Sequence, residues 1–231
     1  MKYRNKFIAV IPARSGSKSI KDKNIKKING KPLIAYSIEQ CLKSKVFEKI
    51  YISTDSKKYA KICKRYGPVE IVFRSKKISK DNSTDYQMIK HLINSINLDY
   101  QFIAHIRPTS PQRNVKDIRL AIKQIKNSSF SSLRSVHEMS ETSYKSVEII
   151  NGKITPLRKL KLDIEAINQP RQKFPKTYSP NGVIDIYRKQ VILKEKKLFG
   201  KRVKAFQTSF SQEIDNIKDL KYLKYLWRKK R

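Results

Sequence analysis

The chain has 231 residues, 39% hydrophobic and 10% aromatic, which suits one folded domain of ordinary size and excludes a disordered chain. Fifty-three Lys and Arg against nineteen Asp and Glu give a formal charge of +34, which points to an anionic partner: nucleic acid, acidic membrane or a phosphorylated small molecule. Two cysteines and three histidines without ligand spacing exclude a disulfide framework and a histidine metal centre.

"FIAVI" (7–11) is a short apolar run with β-branched residues and reads as a strand buried on both faces. The apolar run ends at Pro12, too short for a signal peptide or a membrane span, so a soluble, cytoplasmic protein is expected. A basic loop follows. Pro32 then stands at the first position of a helix that carries Ile34, Ile38, Cys41 and Leu42 on one face. "KIYISTD" (49–55) is a second strand, and Tyr59, Ile62, Cys63 and Tyr66 mark a helix stopped by Gly67-Pro68. "EIVFR" (70–74) is a third strand, followed by a helix with Met88, Ile89, Leu92, Ile93 and Ile96. "QFIAHIRPT" (101–109) is a fourth strand, and Asn114 caps a helix with Val115, Ile118, Ile122 and Ile125 inward.

The second half is less regular. Strands are expected around a turn at Asn151-Gly152, then over "NGVIDIYRK" and "KAFQTSF", and Asn216 caps a last helix with Ile217, Leu220, Leu223 and Trp227. Residues 133–178 interrupt the strand–helix rhythm and read as an excursion from a single domain over 1–231. Alternating strands and helices give a parallel α/β sheet, Rossmann-like and open, with helices on both faces. Ligands bind such sheets beyond the carboxyl ends of the strands. The basic loop, "STD" (53–55), "FRS" (73–75) and "RPTSPQR" (107–113) all follow strands and converge on that edge.

The loop "ARSGSKSIKDKN" lacks the glycine spacing of a Walker or dinucleotide loop. Its Arg14, Lys18, Lys21 and Lys23 supply cations, Ser15 and Ser17 supply hydroxyls, and Gly16 permits positive φ and close backbone approach. Such a set suits a triphosphate that must lose pyrophosphate. Glu213 and Asp215 of "QEID" fall on one side of an extended segment and could cap the last helix. His105 reads as a packed core residue. Asp55 caps the next helix or orients a nucleotide, and Asp185, between Ile184 and Ile186, faces a dimer contact or solvent.

"IPARSGSKSIKDKNIKKINGKPLIAYSIE" resembles the opening signature of the CMP-sialic acid synthetases (acylneuraminate cytidylyltransferases), whose fold the CMP-Kdo synthetases share. The match continues through "ISTD", "RPTSPQR", "RQKFPKTYSPNGVIDIY" and "QEIDNIKDL". The resemblance implies a nucleotidyltransferase-type sheet that couples CTP to an acidic 2-keto-3-deoxy sugar, with Mg²⁺, for surface glycan synthesis. It implies a homodimer whose arm is 133–178, and no specific nucleic-acid or membrane partner. Arg14, Lys18 and Lys23 would hold the triphosphate. Ser15, Gly16, Asn24, Arg74, Ser83 and Thr84 would surround the nucleotide. Arg107, Thr109, Ser110, Arg113, Lys145, Arg171 and Asn181 would meet the sugar, and Asp215 with Glu213 would hold the metal. Three positions depart from the family pattern: Ser19 replaces Gly, Arg107 replaces Gln, and Glu213 replaces Asp. The added cation at Arg107 implies a nonulosonic acid other than the common sialic acid. The alternatives are a Kdo-type synthetase or another nucleotidyltransferase of this fold, and, from a different class, a basic nucleic-acid-binding protein.

Overall fold

The computed structural model describes residues 6–157 and 162–228. Strand β1 (Phe7–Pro12) leads through the basic loop and two short strands, β2 (Lys27–Ile28) and β3 (Lys31–Pro32), into α1 (Leu33–Ser44). Then come β4 (Lys49–Thr54), α2 (Lys57–Cys63), β5 (Glu70–Phe73), α3 (Asp85–Ser95), β6 (Phe102–His105) and α4 (Val115–Lys126). The second half holds β7 (Ser132–Glu138), β8 (Val147–Ile150), β9 (Lys153–Pro156), α5 (Ile164–Ile167), β10 (Tyr178–Arg188), α6 (Lys189–Glu195), β11 (Val203–Gln207) and α7 (Ile217–Arg228).

Seven strands form one sheet in the order β11-β7-β10-β6-β1-β4-β5. β1 pairs in parallel with β4 and β6, and β4 with β5, whereas β10 runs antiparallel to β6. The period-two alternation of β1 fills both faces. Phe7, Ala9 and Ile11 enter a core with the inward residues of α1, α2 and α4, while Ile8 and Val10 enter a second core with α3 and Ile192 of α6. A third cluster joins Ile20 of the basic loop, Ile28, Leu33, Ile214, Leu220 and Leu223. It packs α7 against the basic loop and sets the "QEID" segment beside that loop.

Local chemistry explains most boundaries. Thr84 begins α3 in a reciprocal capping box with Gln87, Asn114 Oδ1 accepts from Lys116 N at 2.9 Å, and Asn216 Oδ1 accepts from Lys218 N at 2.8 Å. Pro32 is corrected by one position: its extended backbone (ψ 144°) makes it the cap, and the helix begins at Leu33. The last helix begins at Ile217 as expected; that residue is about half exposed, and α7 packs through Leu220 and Leu223.

Residues up to 135, with 181–206 and 211 onward, form one compact unit; residues 136–180 with 207–210 form a second. In the second unit β8 and β9 make a hairpin whose turn residues, Asn151 (φ 50°) and Gly152 (φ 76°), are both left-handed, as a two-residue turn matched to strand twist requires. Within it Tyr144 stacks on Phe174, and Val147, Ile149, Ile154 and Ile164 are exposed. No helix among the described residues is long and apolar enough to cross a membrane.

Candidate active site

Parallel pairing of β1, β4, β5 and β6 places all four carboxyl ends on one edge of the larger unit. Chain connections leave β1 toward β4 on one side and β6 lies on the other, so a crevice opens between the loops after β1 and β6. A cavity of about 380 Å³ lies there. Its wall carries six cations (Arg14, Lys18, Lys23, Arg74, Lys80, Arg107) and one carboxylate, Asp85. Such an imbalance in a partly enclosed space raises the local concentration of an anion.

The basic loop is held from three directions. Asp55 accepts from Ser15 N at 2.8 Å and Ser15 Oγ at 2.9 Å, Asn24 Nδ2 donates to Arg14 O at 3.2 Å, and Lys23 Nζ donates to Ile214 O at 2.9 Å. Asp55 is thus neither a helix cap nor free toward a ligand; the cap of α2 is Ser56. Gly16 is corrected too. The left-handed residue of the loop is Asp22 (φ 56°), whose carboxylate accepts from Tyr59 Oη at 2.9 Å and Lys58 Nζ at 3.0 Å. These two hydrogen bonds hold the Asp22 carboxyl below its usual range.

Asp81 bridges two of the wall's cations. Its two oxygens meet Arg14 Nη1 at 2.5 Å and Lys18 Nζ at 2.7 Å. An incoming anion must displace this carboxylate from both cations. Asp81→Asn is therefore expected to tighten binding of inorganic tripolyphosphate by about threefold, a modest gain because the pairs are exposed. Calorimetry reads this directly, and unchanged affinity would show that Asp81 does not compete.

Arg74 follows β5 and is buried with its Nε lacking a hydrogen-bond partner; burial lowers its pKa, against the pull of Asp55. Ser83 and Thr84 line the same cavity, although Thr84 Oγ1 accepts from Gln87 N and Ser83 Oγ from Lys80 N. His105 is fully buried on the cavity wall, its pKa pushed down to about 3 by burial and by Arg107, so it is neutral and a poor base near neutrality.

The "RPTSPQR" segment divides. Arg107, Pro108 and Thr109 face the cavity. Ser110 is fully buried, its hydroxyl 3.4 Å from Glu213 Oε1. Arg113, expected beside the sugar, is turned into the protein: Nε donates to Val183 O, Nη1 to Ser37 Oγ and Gln40 Oε1, and Nη2 to Arg107 O and Gly182 O. All five of its N–H donors are spent on neutral acceptors, and burial lowers its pKa to about 10. Arg113 is a structural tie between α1, β10 and the loop after β6.

Arg107 lines the cavity, but its charge is compensated. Nη1 donates to Asp185 Oδ2 at 2.7 Å and Nη2 to Asp85 Oδ2 at 2.8 Å. Asp185 was expected at a dimer contact or in solvent; it is instead fully buried, because the two apolar faces around β10 enclose it and Arg107 reaches it. A carboxylate flanked by Ile184 and Ile186 in a strand buried on both faces was the signal for this partner.

Asp215 is largely exposed, 3.7 Å from Lys23 Nζ, while Glu213 is half-buried beside Ser110. No cluster of three or more potential metal-ligating side chains occurs among the described residues. Asn181 is buried, its Oδ1 accepting from Val183 N at 3.3 Å. Lys145 and Arg171 belong to the second unit. There Lys145 Nζ donates to Gln169 O at 3.0 Å, and Arg171 Nη2 donates to Met139 O at 3.0 Å beside Glu138, at the edge of a 370 Å³ cavity.

The parallel β5-β4-β1-β6 core and the cation-walled crevice define an α/β protein of the nucleotidyltransferase type. A structure of a CMP:2-keto-3-deoxy-manno-octonic acid synthetase complexed with CTP superposes with a TM-score of 0.74 over 98% of this chain and 100% of that one, at 16% identity. The family model described as Cytidylyltransferase matches residues 8–231, and the chain belongs to that family. It is 35% identical over 215 residues to the N-acylneuraminate cytidylyltransferase of Escherichia coli O18:K1:H7, covering 92% of this chain and 49% of that protein. It is 31% identical to the CMP-N,N′-diacetyllegionaminic acid synthase of Legionella pneumophila, covering 91% of this chain and 90% of that one. The chain spans about half the length of the first curated relatives it matches.

Proposed function

We propose that the chain is a cytidylyltransferase that couples CTP to an acidic nonulosonic sugar. The observation that carries this reading is the 380 Å³ cavity at the strand ends, walled by Arg14, Lys18, Lys23, Arg74, Lys80 and Arg107 in a chain of the cytidylyltransferase family. In the reaction the anomeric hydroxyl oxygen attacks the α-phosphorus. The bond from that phosphorus to the β-phosphate oxygen breaks, pyrophosphate leaves with the electron pair, and the hydroxyl proton is lost. Triphosphate and sugar acid are both anions, and their approach costs repulsion that the wall offsets. Arg14, Lys18 and Lys23 hold the triphosphate and meet the charge that builds on the leaving pyrophosphate. Ser15 and Gly16 shape the loop around it, Asn24 holds that loop by its bond to Arg14 O, and Arg74, Ser83 and Thr84 surround the nucleoside. Arg107 and Thr109 line the sugar side.

Asp215 fits a Mg²⁺ ligand. Mg²⁺ keeps its waters and takes one or two carboxylates plus substrate phosphates, and Asp215 is an exposed carboxylate beside Lys23 of the triphosphate wall. The ion would supply charge neutralisation on the phosphates. Glu213 is turned toward Ser110 and would add to that charge from further back. Relatives named for N-acylneuraminate and N,N′-diacetyllegionaminic acid support an N-acylated nonulosonic acid as the sugar. The Kdo-type alternative has only a likeness of fold behind it. The nucleic-acid reading has no support among the relatives.

The second unit supplies a dimer arm in this reading. Its β8–β9 hairpin exposes the cross-strand pair Ile149 and Ile154, a surface that a second copy would cover. Asn181 would complete the sugar side. The test is pyrophosphate release from CTP across a panel of nonulosonic acids, with Mg²⁺ varied and the enzyme sized in solution. Release that requires an N-acylated acid and Mg²⁺, from a species of twice 27.1 kDa, is expected. Release with Kdo alone, or from a monomer, would contradict the sugar or the dimer assignment respectively.

A further inference from the structure

Arg107 stands in an ion network that the transfer chemistry does not use. Both arms of its guanidinium are fixed, one by Asp185 on β10 and the other by Asp85 at the start of α3. Arg134 Nε lies 3.9 Å from the other Asp185 oxygen, and its guanidinium sits over the Phe199 ring. Tyr187 Oη, 3.4 Å from Asp185 Oδ2, closes the network from the core. Two cations and two carboxylates cancel, and His105 beside them is neutral. Two of five guanidinium N–H groups are used, on a side chain that lines the cavity and remains 23% exposed.

Asp185 is fully buried and Arg107 mostly so, whereas Asp85 and Arg134 reach the surface; burying such a pair is costly and favours geometry more than stability. The geometry here is a guanidinium that cannot rotate, offering donors without net charge. A carboxylate brought to it would face Asp85 and Asp185 at once. Arg14 and Lys18 share the single carboxylate Asp81 and Lys23 has only the exposed Asp215 beside it, so the excess positive charge of the wall lies with Arg14, Lys18, Lys23, Arg74 and Lys80 instead. A donor-only group in a charge-balanced setting suits a neutral acceptor oxygen.

We infer that Arg107 selects the sugar by donating to the acyl carbonyl oxygen of an N-acylated acid rather than to its carboxylate, with Asp85 and Asp185 as the positioning residues that aim it. This rests on the cytidylyltransferase reading above. Lysine at 107 keeps the cation but cannot span two carboxylates. Asparagine at 85 removes one arm at a half-exposed carboxylate, so the fold is retained.

The experiment compares wild type, Arg107→Lys and Asp85→Asn with CTP and two sugar acids, one N-acylated and one its deacylated counterpart. The deacylated acid presents an ammonium, which cannot accept. Both variants are expected to raise the KM of the acylated acid about tenfold, to change the KM of CTP less than twofold, and to erode the preference for the acylated acid by a similar factor. Equal losses on both acids, with a KM that depends steeply on salt in the wild type only, would place the carboxylate on Arg107 and overturn the inference. Unchanged kinetics with a lowered melting temperature would reduce the network to a brace and also overturn it. A wild type that releases no pyrophosphate with any acid would instead remove the underlying reading.

Discussion

Arg14→Ala is expected to lower kcat by about 10²–10³, the usual loss when one preorganised charge-stabilising donor is removed. The loop that carries Arg14 is fixed independently of its side chain, through Asp55 on Ser15, Asn24 on the Arg14 carbonyl and Lys23 on Ile214. Alanine therefore deletes a charge from the wall without releasing the loop. The side chain is about one-third exposed and its recorded pair is with Asp81, itself at the surface, so stability should change little. Steady-state kinetics with a melting curve on the same sample checks both halves. A kcat within threefold of wild type would remove Arg14 from the chemistry.

Arg113→Ala is expected to cost roughly 3 kcal/mol of stability or more. Five acceptors on α1, on β10 and after β6 lose their donor, and each buried acceptor left unpaired costs about 1–3 kcal/mol. Removal of a buried cation returns part of that, since its desolvation already lowers the pKa to about 10. The net loss corresponds to a melting temperature lower by about 10 °C for a chain of this size. Lysine at 113 keeps the charge but has three donors for five acceptors, so it should fall between alanine and wild type. A denaturant series orders the three. Equal midpoints would show that the five bonds are replaced by water.

The local signals of this sequence were strong where one element decides the outcome. The continuous apolar run of "FIAVI" reads directly as a strand with two buried faces, and Asn114, Asn216 and Asn151-Gly152 mark caps and a turn through chemistry contained in three or four residues. The convergence of four polar clusters was legible because parallel strands share one carboxyl edge. What the sequence did not show were pairings between distant segments. Ser15 with Asp55, and Arg107 with Asp85 and Asp185, depend on which strand neighbours which and on the side to which each residue points. For the same reason the resemblance set Arg107, Thr109, Ser110 and Arg113 of "RPTSPQR" together on the sugar side. A tight turn sends Arg107 to the cavity and Arg113 into the core, six residues away in sequence.

Charge told less than its magnitude suggested. The sum of +34 is spread over the chain, whereas the arrangement that matters is six cations against one carboxylate around one cavity. Arg107 also shows that a cation added at the site need not add positive potential, since two buried or half-buried aspartates accompany it.

Calorimetric titration of the protein with CTP and with cytidine tests most directly whether this wall exists to hold a triphosphate. CTP should bind at least about a hundredfold more tightly than cytidine, and the difference should shrink with added salt and largely vanish in Arg14→Ala. Equal affinities for the two ligands, or a CTP affinity unmoved by Arg14→Ala, would contradict it.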